Sequence, residues 1–186
     1  DAKKISLDET KGKEVVFLPG KSELFVLETK ETIKIDIVFP VLHGNFGEDG
    51  TIQGLLKLSN VPFVGAGVLG SALGMDKTYT KKILQSSNIP VADYLTFKEE
   101  EKDQIDFGKI TQKLALPLFI KPANTGSSVG INKVDNLEEF LSAVDEAFNY
   151  DRQIIIEKAV KGKEIECSVL GNGKPIVSLP GEVIPK

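Results

Sequence analysis

Apolar and polar positions alternate along this chain in short blocks whose period changes several times. Val15-Val16-Phe17-Leu18 and Leu24-Phe25-Val26-Leu27 are two apolar runs around a turn containing Pro19-Gly20, the pattern of a hairpin. Ile35-Asp36-Ile37-Val38-Phe39 reads as the first core strand, ending at Pro40 ahead of Leu42-His43-Gly44. Beyond the turn Gly47-Glu48-Asp49-Gly50, the residues Ile52, Leu55 and Leu56 share one face at helical spacing. Asn60 and Pro62 stop that helix, and Phe63-Val64-Gly65 resumes as a strand. Strand, helix, strand in this order predicts the end of an open α/β sheet.

The segment from Gly65 to Gly74 is rich in Gly and Ala and reads as a connection. Asp76 is a candidate N-cap for a helix running to Ser87. A strand over 89–96, a charged stretch over 98–106 and a helix around Ile110–Leu114 follow, then the strand Pro117-Leu118-Phe119-Ile120 and a Gly-rich loop from Asn124 to Gly130. The helix over 136–148 has the clearest signature. Asn136 and Glu139 form a capping pattern, and Leu137, Phe140, Leu141, Val144 and Phe148 make one apolar stripe. Strands over 153–157 and 164–170 come next, and Gly171-Asn172-Gly173 turns the chain into a last strand over 175–183. This second half reads as α+β.

Composition narrows the partners. Of 186 residues, 41% are hydrophobic and 27% charged, a globular profile. Lys and Arg number 23 against 27 Asp and Glu, a net charge of −4, which gives no support to a basic nucleic-acid or membrane-binding face. No apolar run approaches the roughly 18 residues of a membrane helix. The opening residues have no signal-peptide pattern, and the sequence starts without Met, so its start is expected to differ from that of the gene. Cys167 is the single cysteine, which rules out an internal disulfide and fits a reducing compartment. It lies in an apolar run and reads as a core residue.

Candidate chemistry gathers around Lys121. It closes an apolar strand and precedes Pro122-Ala123-Asn124-Thr125-Gly126-Ser127-Ser128-Val129-Gly130. A lysine there can hold a phosphate as a point charge, and a loop rich in glycine, hydroxyls and free N–H groups can fold over an anion. The loop is neither a Walker A sequence nor a dinucleotide fingerprint, so an anion cradle and a plain flexible turn are both open. Ile154-Ile155-Ile156-Glu157-Lys158-Ala159-Val160 is an apolar strand with a charged end, and Glu164 lies beyond it. That end could meet an adenine and Glu164 a ribose, or the charges could simply be solvated. Lys77 opens a helix, where the macrodipole disfavours a cation by about 0.3–1 kcal/mol unless an anion is near. His43, the only histidine, sits just past a strand's C-terminal end, where α/β sheets place ligands. Glu48 and Asp49 read as turn and capping residues. No His, Cys or acidic cluster has metal-ligand spacing.

Taken together, several segments resemble the D-alanine–D-alanine ligases. They are Phe39-Pro40-Val41-Leu42-His43-Gly44 with Gly47-Glu48-Asp49-Gly50-Thr51-Ile52-Gln53-Gly54, Met75-Asp76-Lys77, Phe119 through Gly130, Ile156-Glu157-Lys158 and Lys163-Glu164-Ile165-Glu166-Cys167. Order and spacing match from about Ile35 onward; the first 34 residues match loosely. The resemblance implies an ATP-grasp fold. Residues 1–66 would end a parallel α/β N-terminal domain, 67–157 would form the central ATP-grasp subdomain, and 158–186 would begin the C-terminal one. It implies that ATP phosphorylates one D-alanine and that the amine of a second displaces phosphate from the acylphosphate, in peptidoglycan precursor synthesis. By position, Lys77 and Lys121 would contact ATP phosphates and Phe119 would line the adenine pocket. Glu157, Lys158 and Val160 would meet adenine, and Glu164 the ribose. Ser127 would lie over the reacting phosphate and orient the first D-alanine, with His43 near the substrate carboxylate.

The same resemblance implies Mg2+ alongside ATP, a cytoplasmic enzyme and a homodimer formed largely through N-terminal regions. The family's first strand, with a substrate-orienting Glu, would precede residue 1. The magnesium ligands and the groups holding the second D-alanine would follow Lys186, so this chain alone is expected to be inactive. Sister ligases using D-lactate or D-serine remain open, as does a nucleotide-binding module without chemistry. Other ATP-grasp ligases fit less well with His43-Gly44 and Gly47-Glu48-Asp49-Gly50.

Overall fold

A computed structural model describes residues 12–184. The hairpin expected at the start is present: β1 (Val15–Leu18) pairs antiparallel with β2 (Glu23–Val26), with Leu18 opposite Glu23. A third strand, β3 (Thr32–Lys34), extends this sheet. Helix α1 (Thr51–Leu58) follows the expected turn and buries Leu56, while Leu55 stays exposed. Asn60 adopts a left-handed conformation just past its end.

Three expectations in this region are corrected. The segment Ile35–Phe39 is not a core strand. Its one ladder contact is a parallel bridge between Val38 and Phe63, and Ile37 and Phe39 are exposed. A strand buries its faces only when neighbours flank and cover it, and one bridge supplies neither. The Gly/Ala-rich stretch is not an irregular connection, because Val68–Met75 forms helix α2. Its small side chains allow close backbone approach. At Gly50, where φ is +95°, a Cβ would stand 2.9 Å from the Val68 carbonyl oxygen and 3.4 Å from the Ala72 Cβ. Finally, the strand expected over 89–96 begins only at Tyr94, after Pro90, which has no N–H to give a ladder.

Asp76 starts helix α3 (Lys77–Ser86) as expected, its carboxylate accepting from the N–H groups of Thr78 and Tyr79. The main sheet has four antiparallel strands: β4 (Tyr94–Lys98), β5 (Leu118–Pro122), β6 (Asn132–Val134) and β7 (Gln153–Lys158), in the order β4-β7-β5-β6. Helices α4 (Phe107–Leu114) and α5 (Leu137–Tyr150) cover one face. Leu118, Ile120, Val134, Ile154 and Ile156 meet Ile110, Leu114, Phe140 and Val144 there, and Phe107 stacks edge-on against Phe140 at 5.1 Å. Helix α3 lies over the opposite face, where Gln153 Nε2 donates to Thr78 Oγ1. With helices on both sides, Ile154, Ile155 and Ile156 are all fully buried.

The buried stripe of α5 is rotated from the one expected. Phe140, Ala143, Val144 and Ala147 are buried, while Leu137 and Leu141 are about half exposed, at 50% and 54%. Two alanines at the centre of the contact bring the helix axis close to the sheet, and the leucines fall on its rim. The chain ends in a broken hairpin. Strands β8 (Glu164–Glu166) and β11 (Gly181–Val183) pair, as do β9 (Val169–Leu170) and β10 (Ile176–Val177). The break falls at Cys167-Ser168 opposite Ser178–Pro180, and Cys167 is exposed rather than core. No helix among the described residues is long and apolar enough to cross a membrane.

The rotated face of α5 is testable by urea denaturation. Phe140→Ala should lower stability by about 3–5 kcal/mol, and Leu141→Ser by less than about 0.5 kcal/mol.

Candidate functional site

Side chains alternate across a strand, so register decides which residues meet. Phe119 on β5 lies opposite Glu157 on β7, and Tyr94 on β4 lies opposite Glu157 from the other side. Phe119, Lys121, Glu157 and Tyr94 therefore share the face beneath α3, turned away from the α4/α5 core. The Glu157 carboxylate is nearly buried, and its two oxygens hold two cations. Oε2 pairs with Lys121 Nζ at 2.7 Å, and Oε1 pairs with Lys81 Nζ at 3.2 Å. Lys121 also stands over the Phe119 ring at 5.4 Å, and Lys81 over the Tyr94 ring at 5.2 Å.

Lys81 was not singled out by the sequence. Its signal was present, since it lies four residues after Lys77 on one helix and so on the same face.

Lys77 resolves its own puzzle locally. Instead of facing solvent at the positive end of α3, its ammonium donates to the carbonyl oxygens of Thr125 at 2.6 Å, Pro122 at 3.1 Å and Ala123 at 3.5 Å. Its N–H also donates to the Ala123 carbonyl. Burial pushes the Lys77 ammonium below its usual range and the neighbouring Lys121 charge pushes the same way, partly offset by Glu157, Asp151 and Asp76. Lys77, Lys81 and Lys121 thus gather under the Gly-rich loop, with Glu157 paired to two of them and Asp151 and Asp76 as further acidic neighbours of the third.

That loop, 124–130, arches away from the end of β5. Thr125 Oγ1 donates to the Val129 carbonyl, and the Val129 N–H to the Gly126 carbonyl. Ser127 and Ser128 at the tip are exposed, with φ of +52° and +60°. The loop meets the turn after His43. A Cβ added to Gly126 would stand 3.2 Å from the Gly44 Cα and 3.9 Å from Glu48 Oε2. The Glu48 carboxylate accepts from the Gly44 N–H, closing this turn. Asp49 accepts from the N–H groups of Phe46 and Thr51, tying the turn to the start of α1. Burial works to raise the Asp49 carboxyl, but the donated N–H groups of Phe46 and Thr51 hold it below the usual range. A cavity of about 440 Å3 lies beside this junction, with Leu42, Glu48, Gln53, Ser71, Met75 and Gly126 among its lining residues.

The sequence-derived candidates therefore fall into three groups. Lys77, Phe119, Lys121 and Glu157 converge beneath α3. His43 and Ser127 are exposed on two segments that touch through Gly44 and Gly126. Lys158, Val160 and Glu164 trail off the end of β7 with exposed side chains, and the Lys158 N–H donates to the Asp93 carbonyl. Among the described residues, no group of three His, Cys, Asp or Glu could hold a metal ion.

Comparison with known proteins agrees over nearly the whole chain. The family described as D-ala D-ala ligase N-terminus matches residues 8–66, and D-ala D-ala ligase C-terminus matches residues 83–186. The D-alanine–D-alanine ligase of Oceanobacillus iheyensis is 45% identical over 100% of this chain and 51% of its own length. D-alanine–D-alanine ligase A of Escherichia coli is 44% identical over 90% of this chain and 47% of its own length. The D-alanine–D-alanine ligase structure from Coxiella burnetii superposes with a TM-score of 0.86 at 39% identity, covering 95% of this chain and 52% of that one. The VanG D-Ala:D-Ser ligase structure from Enterococcus faecalis gives 0.84 at 38% identity, covering 94% and 51%. The chain spans about half the length of the curated relatives it matches. With both family segments matched in order and 95% of the chain superposing on a solved relative, the chain belongs to the D-alanine–D-alanine ligase family and is a portion of the ATP-grasp fold.

Proposed function

We propose that the full-length protein joins two D-alanines into D-alanyl-D-alanine, using ATP and an acylphosphate, in the synthesis of peptidoglycan precursors. The observation that carries this reading is the meeting of two segments: the Ser127 loop, resting above the ammonium cluster, touches the His43–Gly44 turn. One side of that contact offers positive charge for phosphates, and the other offers the surface expected to face the amino acid.

The donor set fits a triphosphate. Lys77 and Lys121 would hold phosphate oxygens, and each is kept in place by protein acceptors that it can exchange for a stronger anionic one. Phe119, Glu157, Lys158 and Val160 would bound the adenine, and Glu164 would meet the ribose. Bound ATP, with its Mg2+, supplies the phosphoryl group that activates the first D-alanine carboxylate. The lysines would stabilise charge as it develops on the phosphoryl oxygens, the dominant contribution in such reactions. Ser127 would orient the first D-alanine, and His43 would stand near its carboxylate. We divide the chain at residues 66 and 157 into the end of the substrate-side domain, the central subdomain and the start of the C-terminal subdomain. We place the enzyme in the cytoplasm as a homodimer. The likeness to a D-Ala:D-Ser ligase structure makes D-serine the competing second substrate, with D-lactate the third.

Phosphate release by the full-length protein, with ATP and each of D-alanine, D-lactate and D-serine in turn and then D-alanine mixed with each of the others, tests the reading. Release with D-alanine alone and formation of the dipeptide are expected; release only with a D-alanine and D-serine mixture would assign the sister activity. Lys121→Ala should weaken ATP binding roughly 10- to 150-fold by calorimetry, the loss of one charged hydrogen bond worth about 1.5–3 kcal/mol. Unchanged affinity would remove Lys121 from the site. Because the protonated form of Lys77 binds phosphate and burial lowers its proton affinity, ATP affinity should fall as pH rises toward, and before reaching, the ordinary lysine value of 10.5. Lys77→Arg, which keeps its charge, should move that fall to higher pH.

A further inference from the structure

Helix α5 ends beside the loop that carries Ser127, and its last residues hold both ends of that loop. At the near end, Asp151 Oδ2 accepts from the Asn124 N–H at 2.7 Å and from Asn124 Nδ2 at 3.3 Å, while its Oδ1 accepts from the Gln153 N–H at 3.3 Å. At the far end, Gly130 has φ of +67°, and a Cβ there would fall 2.5 Å from Tyr150 Cδ2 and 2.9 Å from Pro122 Cγ. The Tyr150 ring thus lies directly on the Gly130 backbone. Between these points the loop closes on itself through Thr125 and Val129, and Ser127 and Ser128 at its tip are exposed.

Helix stability does not account for the carboxylate. Asp151 is the C-cap of α5, where the macrodipole disfavours a negative charge by about 0.3–1 kcal/mol. The donors that compensate it come from Asn124 and Gln153, and the Lys77 charge lies near it, all outside the helix. The placement makes sense if the group serves the loop. A loop that must aim N–H groups and a hydroxyl at a reacting phosphoryl group works only when its base is fixed, since a misplacement of about 1 Å can lower turnover about 100-fold.

We propose that Tyr150 and Asp151 are positioning residues for the phosphate loop, fastening its two ends so that Ser127 is presented at a fixed place. This rests on the proposed function for what the loop does, but not for the fastening itself. Asp151 fixes the entry of the loop by accepting from Asn124, and Tyr150 fixes the exit by covering Gly130, where no side chain fits.

The test uses the full-length enzyme and two readouts. Amide hydrogen exchange reports the fastening: Asp151→Ala should speed exchange across 124–130, and at the Gln153 N–H it also holds, by about tenfold while the amides of β5 and of 154–158 in β7 keep their protection, and Asp151→Asn, which retains an acceptor for the Asn124 N–H, should restore most of the slow exchange. Steady-state kinetics report the consequence: Asp151→Ala should lower kcat about 100-fold with the KM for ATP changed by less than about threefold, and Asp151→Asn should recover most of the loss. Tyr150→Leu should reproduce both effects more weakly should the Asp151 variants fold poorly. Loop exchange in Asp151→Ala equal to the parent would overturn the proposal whatever the activity, as would faster exchange with kcat intact, or a fall in ATP affinity that matches the fall in kcat. Absence of D-alanine-dependent phosphate release from the unmodified enzyme would instead sink the functional reading, with the exchange data still deciding the fastening.

Discussion

The Glu157 carboxylate is the point on which the site is built. It is nearly withdrawn from water, and a lone charge there would be strongly unfavourable, so its two lysine partners are a structural necessity before they are anything else. Lys121 comes from the neighbouring strand and Lys81 from the overlying helix. One acidic group thereby joins two strands of the sheet to α3, and it fixes the height at which α3 rides over the sheet. With α3 held there, Lys77 at its first turn reaches the carbonyl groups at the end of β5. The arrangement also leaves Lys121 an alternative. If an anionic ligand drew it away from Glu157, Lys81 would keep the carboxylate compensated.

The sheet and its helices were legible in the sequence because their signals are local. Asp76 and Asn136 announce helix starts by side-chain acceptors placed for N–H groups a few residues on, and both caps are present. The triple isoleucine of β7 reads as buried without reference to the rest of the chain. What the sequence concealed depends on contacts between distant segments. The Gly/Ala stretch at 68–75 becomes a helix because α1 presents Gly50 to it, an arrangement no periodicity reveals. The stripe of α5 turned toward its alanines, which let the helix approach the sheet closely. Ile35–Phe39 looked like core because its composition suits a strand between neighbours, and the described residues supply it with only the Val38–Phe63 bridge.

The chemistry was legible in a different way. Residue types and spacing singled out Lys77, Lys121 and Glu157 as separate ambiguous signals, each with an ordinary explanation. Their convergence is a fact of register and helix placement. Lys81 carried only its spacing from Lys77 and Asp151 no motif at all, and their roles emerge from the partners they hold: a buried carboxylate in one case, the base of a loop in the other.

The contact between Gly44 and Gly126 has a consequence for how the two parts of this chain were able to diverge. A methyl group on Gly126 would crowd the Gly44 Cα at 3.2 Å, so the Gly-rich loop and the His43–Gly44 turn meet there as backbone against backbone, with the Glu48 carboxylate at the edge. A junction made mostly of backbone transmits distance and little chemical identity. Residues on either flank can change without a matching change across the seam, as long as Gly126 keeps the gap.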